Sequence, residues 1–188
     1  LVDKIMTTFT THKPPSLLRG LARLLSHRWA DGGLHQALPP AMLDRLGQRI
    51  AASEQRHTGQ IRICVEGGLP LSYIWRGAGA RERAITQFGK LRVWDTECNN
   101  GVLIYLLLAE HAIEIVADRG LTRHVPAATW RDLVAHMTEA FRTGQYEDGL
   151  TQALSEVSAL LVQHFPRDAV LDAPDRGNEL PDAPVVAP

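Results

Sequence analysis

The side chains best suited to chemistry in this sequence are acids and amides in two short stretches, Asp95-Thr96-Glu97-Cys98-Asn99-Asn100-Gly101 and Asp118-Arg119-Gly120. Asp95, Glu97, Asn99 and Asp118 offer only oxygen donors, a set that suits a hard ion such as calcium or magnesium rather than zinc. Two carboxylates about 4 Å apart at an effective dielectric near 20 repel by on the order of 4 kcal/mol. A cation, a proton or an arginine must offset that repulsion. Arg92 and Arg119 are at hand, so neutralisation by arginine stands as the simpler alternative to a bound ion. A second polar set, Glu66, Gly67, Glu110 and His111, closes the opposite ends of the same strand patterns.

Other chemistries fail on spacing. Gly77-Ala78-Gly79 precedes a helical pattern, but Glu82 stands where a dinucleotide fingerprint needs its third glycine. No GxxxxGK[ST] loop is present to cradle nucleotide phosphates, and no GxSxG elbow to expose a serine nucleophile. The 8 histidines show no zinc-type spacing. Cys64 lies in an apolar strand pattern and Cys98 in a polar turn, neither in a CxxC pair, so both are expected as reduced thiols.

The elements that position these residues follow from periodicity. Pro39-Pro40 opens a helix with Met42, Leu43, Leu46 and Ile50 on one face, running to about Gln55. Ile61, Ile63 and Val65 alternate with Arg62 and Cys64 in a strand that ends at Glu66. A loop from Leu69 to Gly79 leads to a helix carrying Ala84, Ile85, Phe88 and Leu91 inward. The run from Val102 to Ala109 is apolar on both faces, as a central, doubly covered strand requires. The strand from Ala112 to Ala117 follows too closely to be anything but its antiparallel neighbour. Two helices close the domain, the first with a capping-box-like start at Thr129 and Asp132 and a Trp130, Leu133, Val134, Met137, Phe141 stripe. The second carries Tyr146, Leu150, Ala153, Val157, Leu161 and Phe165.

The order α-β-α-β-β-α-α predicts a three-layer α/β/α sandwich, a small mixed sheet with helices on both faces. Parallel first strands put Glu66 and Glu110 at one edge. The hairpin then returns Asp118 and Arg119 to the opposite edge, beside Asp95, Glu97 and Asn99.

With 188 residues and 45% hydrophobic content, the chain supports one ordinary domain with extensions. Three textures divide it: a basic, leucine-rich arm over 1–38, the periodic domain over 39–165, and an acidic, proline-rich tail over 166–188 that reads as extended or disordered. The alternative for the tail is that Pro184-Val185-Val186 docks in a groove of the domain or of a partner. A formal net charge of −1 provides no global field for nucleic acid, which is excluded as a partner. From Leu17 to Trp29, leucines share one helical face among arginines, a candidate for peripheral contact with an anionic membrane. The favoured alternative is that these leucines pack on their own domain. The longest apolar run, Val102 to Ala109, falls far short of the roughly 20 residues of a membrane span. Arg19 and Arg23 interrupt any signal-peptide core, so a cytoplasmic, membrane-peripheral location is expected.

Three passages together resemble the TPM domain family: Arg92-Val93-Trp94-Asp95-Thr96-Glu97-Cys98-Asn99-Asn100-Gly101-Val102-Leu103-Ile104, then Glu114-Ile115-Val116-Ala117-Asp118-Arg119-Gly120-Leu121, then Phe141-Arg142-Thr143-Gly144-Gln145-Tyr146-Glu147-Asp148-Gly149. The resemblance runs from about Pro40 to Phe165 in order and spacing. It implies an α/β/α sandwich, divalent-cation binding, an acid phosphatase activity, and assistance in assembling or repairing membrane protein complexes. The chain departs from the family pattern at Ala117-Asp118-Arg119-Gly120, where many members place additional glycine.

Two functional readings follow. The first is a non-enzymatic accessory domain, binding calcium or magnesium through Asp95, Glu97, Asn99 and Asp118 and acting with a protein partner on membrane-associated complexes. The second is a metal-dependent acid phosphatase (a phosphomonoesterase), with Arg119 and the helix start at Thr129 holding the phosphate. No residue is marked out as a nucleophile, Thr96 and Asp95 being the candidates, and the accessory reading ranks first.

Overall fold

The computed structural model describes residues 24, 27, 33–34, 36–167 and 178–187. Helix α1 (Pro40–Glu54) starts where Pro39 and Pro40 fix the backbone, and turns Met42, Leu46 and Ile50 inward at a spacing of four. Strand β1 (Ile61–Glu66) follows, then a short helix α2 (Leu71–Trp75), expected as loop, and α3 (Ala80–Lys90). Strand β2 (Val102–Leu107) stops two residues before the apolar run does, because Leu108–Glu110 tightens into a 3-10 turn. His111, in the left-handed region at φ 45°, completes the reversal into β3 (Ala112–Ala117). The one-turn α4 (Arg119–Thr122), α5 (Ala127–Arg142), α6 (Tyr146–His164) and β4 (Val185–Ala187) finish the chain.

The sheet order is β3-β2-β1-β4. β1 and β2 run parallel in the register Ile61↔Val102 to Glu66↔Leu107, and β2 and β3 antiparallel from Val102↔Ala117 to Leu107↔Ala112. Strand alternation then sorts the core. Ile61, Ile63, Val65, Ile104 and Leu106 face a cluster with Leu46, Met137, Phe141, Leu150 and Leu161 of α1, α5 and α6. Cys64, Leu103, Tyr105, Leu107 and Val116 face the thinner layer of α2 and α3. This is the three-layer α/β/α sandwich with a mixed sheet. Between α1 and α6, Arg45 forks onto Glu147, while Arg49 reaches Thr151 and Arg56 reaches Ser158. The constant offset of 102 positions shows the two helices to be parallel.

The start of α5 also needs correction. Helix α5 begins at Ala127 with Pro126 as its cap and no side-chain cap bond, so Thr129 sits inside the first turn rather than opening it. Proline at 126 already holds the φ an entry needs, which moves the start three residues upstream. Of the two readings of the tail, docking on the domain is the one seen: Val185–Ala187 pairs parallel with Cys64–Glu66 as β4. Pro184 precedes that pairing instead of interrupting it, and Gln60 and Arg62 take up the backbone groups that lead to it. Residues 168–177 lie outside the described residues.

Of the arm, Leu24 packs against the α2–α3 layer and His27 is buried. Leu17, Leu18, Leu21, Leu25 and Trp29 lie outside the described residues. Cys64 and Cys98 are free, and burial pushes the Cys64 thiol up to about 12. Among the described residues no helix is long and apolar enough to cross a membrane.

Candidate functional site

The polar edge forms where the loop before β2 meets the end of β3. Asp118 N–H donates to Gly101 O at 2.9 Å and Gly120 N–H to Asn99 O at 2.8 Å. The approach is too close for side chains. A Cβ on Gly120 would stand 2.5 Å from Asn99 O, and one on Gly101 1.9 Å from Val93 O. Asn99 itself sits in the left-handed region at φ 52°, which amides tolerate better than most residues.

On this frame Arg119 turns back over Asn99. Its Nε and Nη2 donate to Asn99 Oδ1 at 2.9 and 2.6 Å. Asp118 Oδ1 accepts the Arg119 backbone N–H at 2.6 Å, while Asp118 Oδ2 is buried with no partner among the described residues. Desolvation raises the Asp118 pKa, opposed by that N–H bond and by the Arg119 charge. Asn99, Asp118 and Arg119 thus come together as expected.

The other predicted ligands are engaged elsewhere. Asp95 is exposed, 4.0 Å from the exposed Arg92. Glu97 is exposed, and its N–H donates to Glu179 Oε2 at 2.8 Å, which brings an acid of the tail to this edge. Asn100 is buried: its N–H donates to Thr96 Oγ1 at 3.1 Å and its Nδ2 to Thr58 Oγ1 at 3.3 Å. Thr129 lines a shallow cleft with Asp132, His136, Glu156 and Gln163 of α5 and α6, a cleft Arg119 does not line.

A hard divalent ion takes six or more oxygens. Among the described residues Asp118 Oδ2 has no partner, and the neighbouring amide oxygen already holds a guanidinium. Among the described residues no group of three or more His, Cys, Asp or Glu side chains could hold a metal ion. In this arrangement the cation beside Asn99 and Asp118 is Arg119.

The opposite edge holds a cluster that the sequence reading located only in part. Glu66, at the end of β1, is fully buried and accepts four bonds. Arg83 donates from Nε at 2.7 Å and Nη2 at 2.5 Å, Gln87 from Nε2 at 2.5 Å, and the Tyr105 hydroxyl at 2.6 Å. These donors saturate the carboxylate, and the bonds to Glu66 raise the Arg83 pKa. Burial, and then the Glu66 charge, raise that of Tyr105. The available signal was Arg83 and Gln87 at a spacing of four on the inner side of α3. Nearby, Leu69 N–H donates to His27 Nδ1 at 2.9 Å, and His27 Nε2 lies 3.3 Å from Glu110 Oε1. A Cβ on Gly68 would meet His27 O at 2.6 Å, so glycine there lets the arm close in.

The BA42 protein of the psychrophilic bacterium Bizionia argentinensis has a similar solved structure, with a TM-score of 0.67 at 23% identity, covering 80% of this chain and 95% of that one. The N-terminal domain of a protein from P. gingivalis is also similar, with a TM-score of 0.55 at 18% identity, covering 70% of this chain and 82% of that one. At these identities the likeness speaks for the fold alone. No curated protein matches the chain. The family model of the TPM domain matches residues 34–160, which takes in both edges of the sheet and most of the helices on either side, and on that match the chain belongs to the TPM domain family.

Proposed function

We propose that this TPM domain works by binding rather than by turnover, as an accessory module for a protein of a membrane-associated complex. The observation that carries this reading is the double bond of Arg119 onto Asn99 Oδ1 beside the Asp118 carboxylate. A phosphomonoesterase needs a cation or a free guanidinium for the developing charge and a nucleophile in line with the leaving group. At this edge the guanidinium is spent on Asn99, the Thr96 hydroxyl is buried on the Asn100 N–H, and Thr129 belongs to a different cleft. Leu71 and Trp75 are exposed on α2 and Trp94 in the loop before β2, and large apolar groups of this kind anchor protein contacts.

Cation titration followed by melting temperature tests the role given to Arg119. Millimolar calcium or magnesium leaves the wild type unchanged. Arg119→Ala frees Asn99 Oδ1 and leaves Asp118 uncompensated, so that variant gains an ion-dependent increment by mass action. Asp118→Asn in the same background removes the increment. A calcium-dependent rise in the wild type that Asp118→Asn abolishes would make the edge a divalent-cation site and defeat this reading.

A further inference from the structure

The C-terminal segment is seated in a groove with the features of a peptide-binding site. One wall is the outer edge of β1, where Cys64–Glu66 pairs with Val185–Ala187 in parallel register. The other is α1, where a Cβ on Gly47 would lie 3.6 Å from Asp182 O and 3.7 Å from Pro184 Cδ. Between them two side chains read backbone atoms. Gln60 Oε1 accepts the N–H groups of Glu179 and Leu180 at 3.1 and 2.9 Å, and Arg62 Nη1 donates to Pro181 O and, at 3.2 Å, to Ala183 O. Leu180 is buried in the α2–α3 core, Val185 and Ala187 pack on that same side, and Val186 packs on the other.

The resident segment fits this groove imperfectly. Its strand is three residues long and only half-buried. Arg62 Nε is buried with no acceptor among the described residues. Asp182 lies close enough to the buried Glu54 for the two charges to oppose each other. Each mismatch is one that another peptide could relieve.

We propose that this groove binds an extended segment of a partner protein, and that residues 178–187 occupy it in cis until displaced. Backbone reading by Gln60 and Arg62 with main-chain pairing to β1 is strand addition, in which alternate side chains supply specificity. The partner segment carries an apolar residue at the Leu180 position, a Val-Val-type pair at 185 and 186, and a neutral or basic residue where this chain has Asp182. The proposal deepens the binding reading and rests on it. Its test substitutes none of the polar-edge residues, so failure here and failure there are separable.

The probe is a fluorescent synthetic peptide of residues 178–187, with a second version carrying Asp182→Lys, and the readout is anisotropy on the full chain. Cis occupancy raises the apparent Kd to the intrinsic value divided by the open fraction. A Leu180→Asp, Val186→Asp chain therefore binds the peptide at least tenfold more tightly than wild type, and the Asp182→Lys peptide more tightly still. Adding Gln60→Ala and Arg62→Ala to that chain reverses the gain. No saturable binding to the double variant, with cooperative unfolding retained, overturns the proposal. So does concentration-dependent dimerisation that competes with the peptide, since the occupant is then a second copy. If the double variant does not fold, amide exchange on the wild type decides. The β4 amides exchange at least a hundredfold faster than those of β2 if the segment opens locally. Equal rates overturn the proposal.

Discussion

Glu66 and Arg119 show how one residue type can be legible and another opaque. Arg83→Ala leaves the Glu66 carboxylate buried with only Gln87 and Tyr105, and breaking a buried ion pair in this way costs about 3–5 kcal/mol. Urea unfolding measures it, and a loss below about 1 kcal/mol would show that water reaches the carboxylate. The convergence of Asn99, Asp118 and Arg119 was readable because a hairpin must return β3 to the start of β2, whatever the side chains do. The partners of Glu66 were not readable, since they depend on the rotation of α3 about its axis, which only packing sets. The exposure of Asp95, 4.0 Å from Arg92, depends on packing in the same way, although its place in the loop was clear.

At the scale of elements, β2 carries the fold. It is flanked on both sides in the sheet and covered on both faces, and each of its six residues is buried. Leu106→Ala removes a side chain from the larger core cluster and costs roughly 2–5 kcal/mol by denaturant unfolding. A loss near 0.5 kcal/mol, the scale of exposed sites, would contradict this placement. The doubly apolar run made β2 evident from sequence, as alternation did for β1. β4 was beyond that reach, because three residues have no period and their strand state comes from Gln60, Arg62 and the edge of β1. Helix α2 escaped for the same reason of length.

At the scale of the whole molecule, two buried groups of opposite sense shape the response to pH. Burial raises Glu54 to about 8, offset in part by its bond from the Ile61 N–H, and lowers His57 to about 4. The unfolded chain releases the Glu54 proton first, so stability falls as pH rises from about 4.5 to about 8. The unfolded chain gains the His57 proton first, so stability also falls as pH drops from about 6.5 to about 4. Glu114 and Asp118, both raised mainly by desolvation, reinforce the alkaline loss. Melting temperature therefore peaks in mildly acidic solution, and Glu54→Gln lifts the value at pH 8 while leaving that at pH 4 nearly unchanged. An unaltered alkaline limb in Glu54→Gln would assign the loss to other groups.

The proposed role, binding without turnover of phosphate esters, is tested most directly by an assay of aryl phosphate hydrolysis. Wild type and Arg119→Ala are compared in mildly acidic and neutral buffer with calcium, magnesium or manganese. Both give the rate of the buffer blank, because the wild-type guanidinium at the polar edge serves Asn99 and the Thr96 hydroxyl accepts the Asn100 N–H. Linear product formation by the wild type that disappears in Asp118→Asn would contradict the account and make the polar edge a catalytic centre.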